Sequence, residues 1–124
     1  MPVAEQEDDS KLVDAYLRTY KLQDNSLLWA FSELHVITLH DTERGWRITL
    51  ALIAGASNEG VLGYVAAGPL EEMLEVHGNE IIDRVEALAH TDEKFRKALS
   101  LVACFEDSMP SDICARVHKA LGRI

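Results

Sequence analysis

The most ligand-like side chains of this chain are Asp83, Glu86 and His90. They stand at positions i, i+3 and i+7, so on a helix they would share one face. Carboxylate and imidazole groups bind divalent cations, but structural metal sites usually supply cysteine or several histidines. A solvated polar face is the alternative that we favour. We therefore expect no metal ion and no other cofactor.

Cysteine and histidine side chains offer a second kind of chemistry. Cys114 and His118 are four residues apart, a spacing at which imidazole can activate a thiolate nucleophile. No loop offers an oxyanion site, so we expect packed residues rather than a catalytic pair. Cys104 and Cys114 flank a turn that could accept a disulfide, but two reduced, buried thiols suit a cytoplasmic protein better. His35 and His40 are five apart, which is poor spacing for a shared metal.

A third group is acidic and lies in the middle of the chain. Its members are Glu71, Glu72, Glu75, His77 and Glu80. Paired carboxylates do acid–base chemistry when their pKa values differ, but a helix start favours acidic side chains without catalysis. Glu71 has two open interpretations: an ion pair with Arg44 or Arg47, or a position facing a groove, which would mark a ligand site. We predict no catalytic residue.

The segment Gly68, Pro69, Leu70 and Glu71 predicts a structural corner. Gly68 can end one helix and Pro69 can open the next, because proline needs no N–H at a first helical position. Leu70 is expected to enter the core. Gly78 is placed to end the second of these helices.

The elements that position these groups are predicted to be helical almost throughout, as one domain over residues 1–124 with residues 1–9 frayed. Apolar residues recur at helical spacing, and strand signals are nearly absent. Seven or eight short helices form a compact antiparallel all-α array, either α-solenoid-like or an irregular bundle. Capping residues are expected at 24–26, Asp41 or Thr42, 57–58, Asn79 and Thr91.

Two packing expectations follow from the apolar residues. The second predicted helix, from Leu27 to Leu39, is apolar over much of its circumference, which indicates a central, covered position. The large aromatic side chains are expected to face inward rather than to form a ligand box; they are Trp29, Phe31, Trp46, Tyr64, Phe95 and Phe105.

Charge and composition exclude several functions. The formal net charge is −9, from 21 acidic and 12 basic residues, and such a surface disfavours nucleic acid. Arg116, Lys119 and Arg123 are the best candidates for a local basic patch, but scattered solvated charges are the better interpretation. There is no apolar run long enough to span a membrane and no secretory leader, so we expect a cytoplasmic protein.

Several short motifs resemble a small family of uncharacterised bacterial helical domains over about residues 12–103. The residues that carry the resemblance are Leu28-Trp-Ala-Phe31, Glu43-Arg-Gly-Trp46, Gly68-Pro-Leu-Glu71, Leu74, His77-Gly78, Ile82-Asp83, Phe95-Arg96 and Leu99. Gly45 stands where alanine is expected, and Phe31 where tryptophan is common. The resemblance implies a bacterial source and a compact helical domain, and it assigns no activity.

Our functional expectation is therefore non-catalytic. A small acidic helical protein without a credible active site is expected to bind another protein, and a basic partner would complement its charge. An immunity- or antitoxin-like protein is the sharper form of this hypothesis. The alternatives are a metal-binding protein or hydrolase that uses the acidic and histidine residues of the central helices, and a homo-oligomeric structural protein.

Overall fold

The computed structural model describes residues 2–22, 25–104 and 107–123, with side chains from Asp9 onward. Across these ranges the chain forms α1 (Pro2–Thr19), α2 (Trp29–His40), α3 (Thr42–Gly55), α4 (Glu59–Val65), α5 (Glu71–Thr91), α6 (Glu93–Ser100) and α7 (Ser111–Ala120). A 3-10 turn covers Asn25–Leu27, and a π turn covers Ala66–Leu70. These ranges contain no strand, so the all-α prediction is confirmed. None of the described helices is long and apolar enough to cross a membrane.

Helix α5 lies at the centre of an irregular bundle. It packs against α2, α3, α6 and α7, and α3 in turn contacts α1, α2, α4 and α6. In a solenoid each repeat contacts only its neighbours in sequence. These contacts join helices that are distant in sequence, so the irregular bundle is the one of the two predicted arrangements that the fold adopts. Along α5 the buried residues are Met73, Leu74, Gly78, Ile81, Ile82, Val85 and Ala89.

Polar side chains cap three of the helices. The side-chain oxygens of Asp41, Asn58 and Asp92 accept backbone N–H bonds at the starts of α3, α4 and α6. The first two caps agree with the sequence. The third corrects it, because Thr91 is the last residue of α5 and the cap falls on Asp92. Each cap satisfies a backbone N–H that has no partner within its helix.

Helix α2 departs from expectation at its start. Its N-cap residue is Leu28, which makes no side-chain cap bond; Asp24, one of the predicted capping residues, lies outside the described residues. The 3-10 turn at Asn25–Leu27 lies directly before this N-cap. Helix α1 begins at Pro2, so the acidic segment predicted to be frayed has helical backbone from residue 2.

The predicted central position of α2 is also wrong. Trp29 is 45% exposed, Phe31 39% and Val36 56%, while α3 and α5 occupy the centre. Because α2 carries apolar residues around most of its surface, the sequence could not show which side its neighbours would leave open.

The remaining aromatic residues mostly follow the prediction. Trp46 and Phe95 are buried, and their rings meet edge to face with centroids 5.9 Å apart. Tyr64 is half-buried. Phe105 lies outside the described residues.

The predicted corner at Gly68 and Pro69 is wrong, because α4, the π turn and the first part of α5 run without a break from Glu59 as far as His77. Pro69 is buried inside the π turn, which Val65 and Glu71 flank with ordinary right-handed helical angles. Proline in an α-helix clashes with the carbonyl four residues earlier, and a wider turn relieves that clash. Leu70 is fully buried, as predicted.

The helix end predicted at Gly78 lies within one residue of a real break, because α5 consists of two helical segments that meet at a kink. Asn79 makes no described capping bond. The backbone bends at His77 (φ −122°, ψ 21°). There Nε2 of His77 donates to the carbonyl oxygen of Thr38 at 2.7 Å, and its Nδ1 lies within hydrogen-bond distance, 3.1 Å, of the Thr42 hydroxyl oxygen. The kink is therefore held by bonds to the junction between α2 and α3, which lies far away in sequence.

Candidate functional site

An open groove of about 410 Å³ lies between α2 and the continuous helix that contains the π turn. We call it the acidic groove. Its lining residues come from α1 (Tyr16), α2 (Phe31, Leu34, His35), α4 (Tyr64), the π turn (Ala67, Gly68, Pro69) and α5 (Glu71, Glu72, Glu75). Three carboxylates and three aromatic rings thus share one cavity.

Aromatic side chains form one wall of the acidic groove. The rings of Tyr16 and Tyr64 stack with centroids 5.3 Å apart, and Phe31 meets Tyr16 edge-on at the same distance. Burial, reinforced by the neighbouring Tyr64, raises the pKa of Tyr16, so its phenol stays neutral. A Cβ at Gly68 would lie 2.6 Å from the Tyr16 hydroxyl oxygen, so a larger residue there would have to push that hydroxyl aside.

Glu72 is the anchored carboxylate of the acidic groove. It accepts a hydrogen bond from the Thr38 hydroxyl, and its other oxygen lies 2.9 Å from Nδ1 of His35. Both partners belong to α2, so Glu72 joins α2 to the start of α5. His35 is accordingly a partner of a carboxylate at the rim of the groove.

Glu71 faces the acidic groove. Its Oε1 accepts the backbone N–H of Ala103 at 3.2 Å. Burial and then the charge of Glu75 raise the pKa of the Glu71 carboxyl, and the bond from Ala103 opposes that rise. The sequence left two positions open for Glu71, an ion pair with an arginine of α3 or a place facing a groove. The observed geometry corresponds to the second.

Arg44 and Arg47, the candidate ion-pair partners of Glu71, both contact Asp9. Nε of Arg44 donates to one oxygen of Asp9 at 2.9 Å, and Nη2 of Arg47 donates to the other at 3.1 Å. These bonds tie α3 to α1.

Asp83 and Glu86 form an ion-pair network with Arg116 of α7. Nη2 of Arg116 lies 2.7 Å from Asp83 and 2.6 Å from Glu86, and its Nε donates to Glu86 at 2.9 Å. The Arg116 guanidinium lowers the pKa of the Glu86 carboxyl. A metal ion here would have to displace the guanidinium. His90, the third member of the predicted set, is exposed at the end of α5.

The other sequence candidates have structural surroundings. His77 holds the kink, Glu80 is exposed beyond it and lies outside the acidic groove, and His40 is the exposed last residue of α2. Arg123 donates to the carbonyl oxygen of Ser100 at 2.9 Å, joining the end of the chain to α6.

A set that the sequence analysis missed lies between α6 and α7. The two Sγ atoms of Cys104 and Cys114 and a ring nitrogen of His118 all lie within 4.8 Å of one another. Both cysteines are free and half-buried rather than fully buried as expected. Burial, then the adjacent Cys114 thiol, raises the pKa of Cys104 to about 12, so this thiol is protonated at neutral pH.

The sequence contained only half of that signal. The pair Cys114 and His118 is visible as an i, i+4 spacing on one helix, but Cys104 joins it only because the fold brings this residue beside α7. Nine residues separate the two cysteines, which matches no common metal-binding spacing.

These features define a small all-α domain with an acidic, aromatic groove. The model of a family of unknown function, DUF6869, matches residues 18–124, and the chain belongs to that family. The resemblance to an uncharacterised domain family is thereby confirmed, while the bacterial source remains a prediction. No curated protein and no solved structure matches the chain.

Proposed function

We propose that this protein is a non-catalytic binding protein whose acidic groove receives a lysine or arginine side chain of a basic protein partner. The observation that carries the proposal is Glu71. Its carboxylate is partly withdrawn from water and held beside Glu75, and its one described hydrogen-bond donor is a neutral backbone N–H. A cationic group in the groove would relieve that repulsion.

The chemistry of the groove suits a cationic side chain. Hydrogen bonds between a guanidinium or ammonium group and a carboxylate are among the strong ones in proteins. Aromatic faces attract the same cations, and Phe31 and Tyr64 lie in the same cavity as the carboxylates. The net charge of −9 would also steer a basic partner toward the protein.

Exposed apolar residues favour a protein partner over a free small cation. Tyr20 is 44% exposed, and its ring lies 5.3 Å from Tyr64, so the aromatic wall extends beyond the groove. Phe31 of α2, which lines the groove, is itself 39% exposed. Interfaces combine such aromatic anchors with a polar rim.

A general acid–base enzyme is the second candidate, and one observation favours it. Like-charged carboxylates that titrate apart can act as acid and base, and Glu71 beside Glu75 has a raised pKa. Tyr16, which lines the same groove, has a raised pKa, so its phenol is a poor proton donor at neutral pH. We therefore rank binding first.

The test compares two double variants that remove the same charge. Glu71→Gln/Glu75→Gln neutralises the acidic groove, while Glu93→Gln/Asp107→Asn neutralises two exposed carboxylates that do not line it. Binding of an arginine-rich peptide, followed by calorimetry, should weaken at least about tenfold in the groove variant and little in the control. Equal weakening in both would show that only net charge acts and would overturn the groove proposal.

The partner itself is sought by affinity capture from the source cell with the same three proteins. The expected result is a basic protein that the wild type and the control variant retain and the groove variant loses. A partner retained equally by all three proteins would overturn the proposal. The proposal would also be overturned if size measurements showed that the protein associates with itself and that this association covers the acidic groove. Cytoplasmic location follows as part of the same proposal.

The immunity- or antitoxin-like hypothesis is a finer form of this function. It requires that the captured partner be encoded next to this chain and be toxic when expressed alone. Co-expression of the wild type, but not of Glu71→Gln/Glu75→Gln, should then restore growth. A harmless partner would remove this finer hypothesis and leave the binding function intact.

A further inference from the structure

We propose that Cys104, Cys114 and His118 form a zinc-binding site between the connection after α6 and helix α7. This site is separate from the acidic groove and does not depend on the function proposed for it. It also differs from the set Asp83, Glu86 and His90, whose carboxylates contact Arg116.

The first support is distance. The three donor atoms lie within 4.8 Å of one another. Two sulfurs on one tetrahedral zinc, with Zn–S bonds of about 2.3 Å, stand about 3.8 Å apart, and a sulfur and a nitrogen about 3.6 Å. A shift of at most about 1.2 Å in each pair therefore closes the set around one ion.

The second support is that one ligand pair stands on a rigid element. Cys114 and His118 are four residues apart within α7, so their side chains project from the same helical face. The apolar face of α7 is fixed against the core by Ile113 and Val117, both 1% exposed. Only the connection that carries Cys104 has to adjust.

The third support is the chemistry of the donors. Two thiols and one imidazole are the ligands that zinc prefers, and three protein ligands leave a fourth position for water. The thioether sulfur of Met109 lies 3.8 Å from Sγ of Cys104 and adds a further polarizable sulfur beside the proposed ligands. The two cysteines are half-buried, which leaves an entry path for the ion.

One cation lies beside the proposed ligands. Nη1 of Arg123 lies 3.5 Å from Nδ1 of His118, a long contact, while its Nη2 donates to the carbonyl oxygen of Ser100 at 2.9 Å. A metal ion bound through Nδ1 would therefore replace only this long contact of His118 with a coordinate bond.

Cobalt(II) is the probe of choice, because thiolate ligands give it an intense near-ultraviolet charge-transfer band. The chain has two cysteines, so such a band reports only Cys104 and Cys114. Reduced wild-type protein should bind one Co²⁺ with this band and with tetrahedral visible bands, and Zn²⁺ should displace the cobalt. No thiolate band in the reduced, folded protein would overturn the proposal.

The variants separate the third ligand from the two thiols. His118→Ala should weaken Zn²⁺ binding at least about 100-fold, more than loss of a second-shell partner usually costs. His90→Ala is the matched control, since it removes an exposed histidine from the alternative set and should leave binding unchanged. Unchanged affinity in His118→Ala, or a loss in His90→Ala, would overturn the site as described.

Cys104→Ser and Cys114→Ser test the thiols, with far-ultraviolet circular dichroism to confirm folding. If either variant fails to fold, protection of the wild-type thiols replaces it: Zn²⁺ should slow alkylation of both cysteines and should do so far less in His118→Ala. Zinc should also raise the melting temperature of the wild type, because a ligand that binds the native state stabilises it. Equal alkylation rates with and without Zn²⁺ would overturn the proposal.

Discussion

Replacing Gly78 with alanine should destabilise the contact between α5 and α7. A Cβ at this position would lie 2.8 Å, 3.0 Å and 3.2 Å from Cγ1, Cδ1 and Cγ2 of Ile113. Carbon atoms in favourable contact stand about 3.5–4.0 Å apart, so all three distances are too short. The new methyl group has to push α7 away or distort the core.

The size of the effect follows from the surroundings of Ile113. This side chain is 1% exposed, and a β-branched residue in a helix has one strongly preferred rotamer, so it cannot turn aside. Overpacking of such a core costs about 1–3 kcal/mol. Alanine is also more favourable than glycine in a helix by about 1 kcal/mol, and this difference offsets part of the free-energy cost of the clash.

Gly63→Ala is the matched control for that gain. A Cβ at Gly63, in α4, would lie 3.8 Å from Leu101, an ordinary contact, so this variant should be slightly stabilised. We expect Gly78→Ala to unfold at least about 1 kcal/mol more easily than Gly63→Ala in urea, with unchanged m-values.

A double-mutant cycle identifies the cause. In an Ile113→Ala background, which lacks all three clashing atoms, Gly78→Ala should cost nothing, and the coupling should be about 1–3 kcal/mol. The reasoning is refuted if Gly78→Ala is as stable as Gly63→Ala, or if its cost persists without the Ile113 side chain.

Three further predictions concern the cap of α4, the aromatic wall and the pH dependence of stability. Asn58→Ala removes the oxygen that accepts the N–H of Val61 at 2.9 Å, and it should lower the free energy of unfolding by about 1 kcal/mol, measured in urea against the control Asn79→Ala. Gly68→Ala places a methyl group 2.6 Å from the Tyr16 hydroxyl and should cost about 1–2 kcal/mol; Tyr16→Phe in that background should recover part of the loss, and no recovery would contradict the assigned contact. Because the pKa of Glu71 is raised on folding, its ionisation disfavours the native state as pH rises through that pKa. Glu71→Gln should therefore gain stability relative to the wild type between about pH 4 and pH 7, and a constant difference over urea titrations in that range would contradict the shift.

Local signals predicted the helical fold because they act within a few residues. The apolar spacing of α1, α3 and α7 and the caps at Asp41 and Asn58 need no information from the rest of the chain. The interruption expected at Pro69 was also a local argument, and it located a real irregularity. Its form was wrong, since a π turn keeps the helix continuous where a break was expected.

The exposed side of α2 could not be predicted from its own sequence. Trp29 and Phe31 are as apolar as many core residues, and their exposure depends on where α1, α3 and α5 pack. The kink at His77 could not be predicted locally either. Its hydrogen bonds reach Thr42 and Thr38, which precede it in the chain by 35 and 39 positions.

The sequence by itself determined an acidic, all-helical domain with a glutamate-rich segment after Pro69 and with two cysteines near its end. Only the tertiary structure decided that Glu71 faces a groove, that Arg116 occupies the carboxylates of α5, and that Cys104 meets Cys114 and His118. The reason is physical: periodicity and capping are properties of neighbouring residues, whereas a site is a set of distances between distant residues that the packing of the helices fixes.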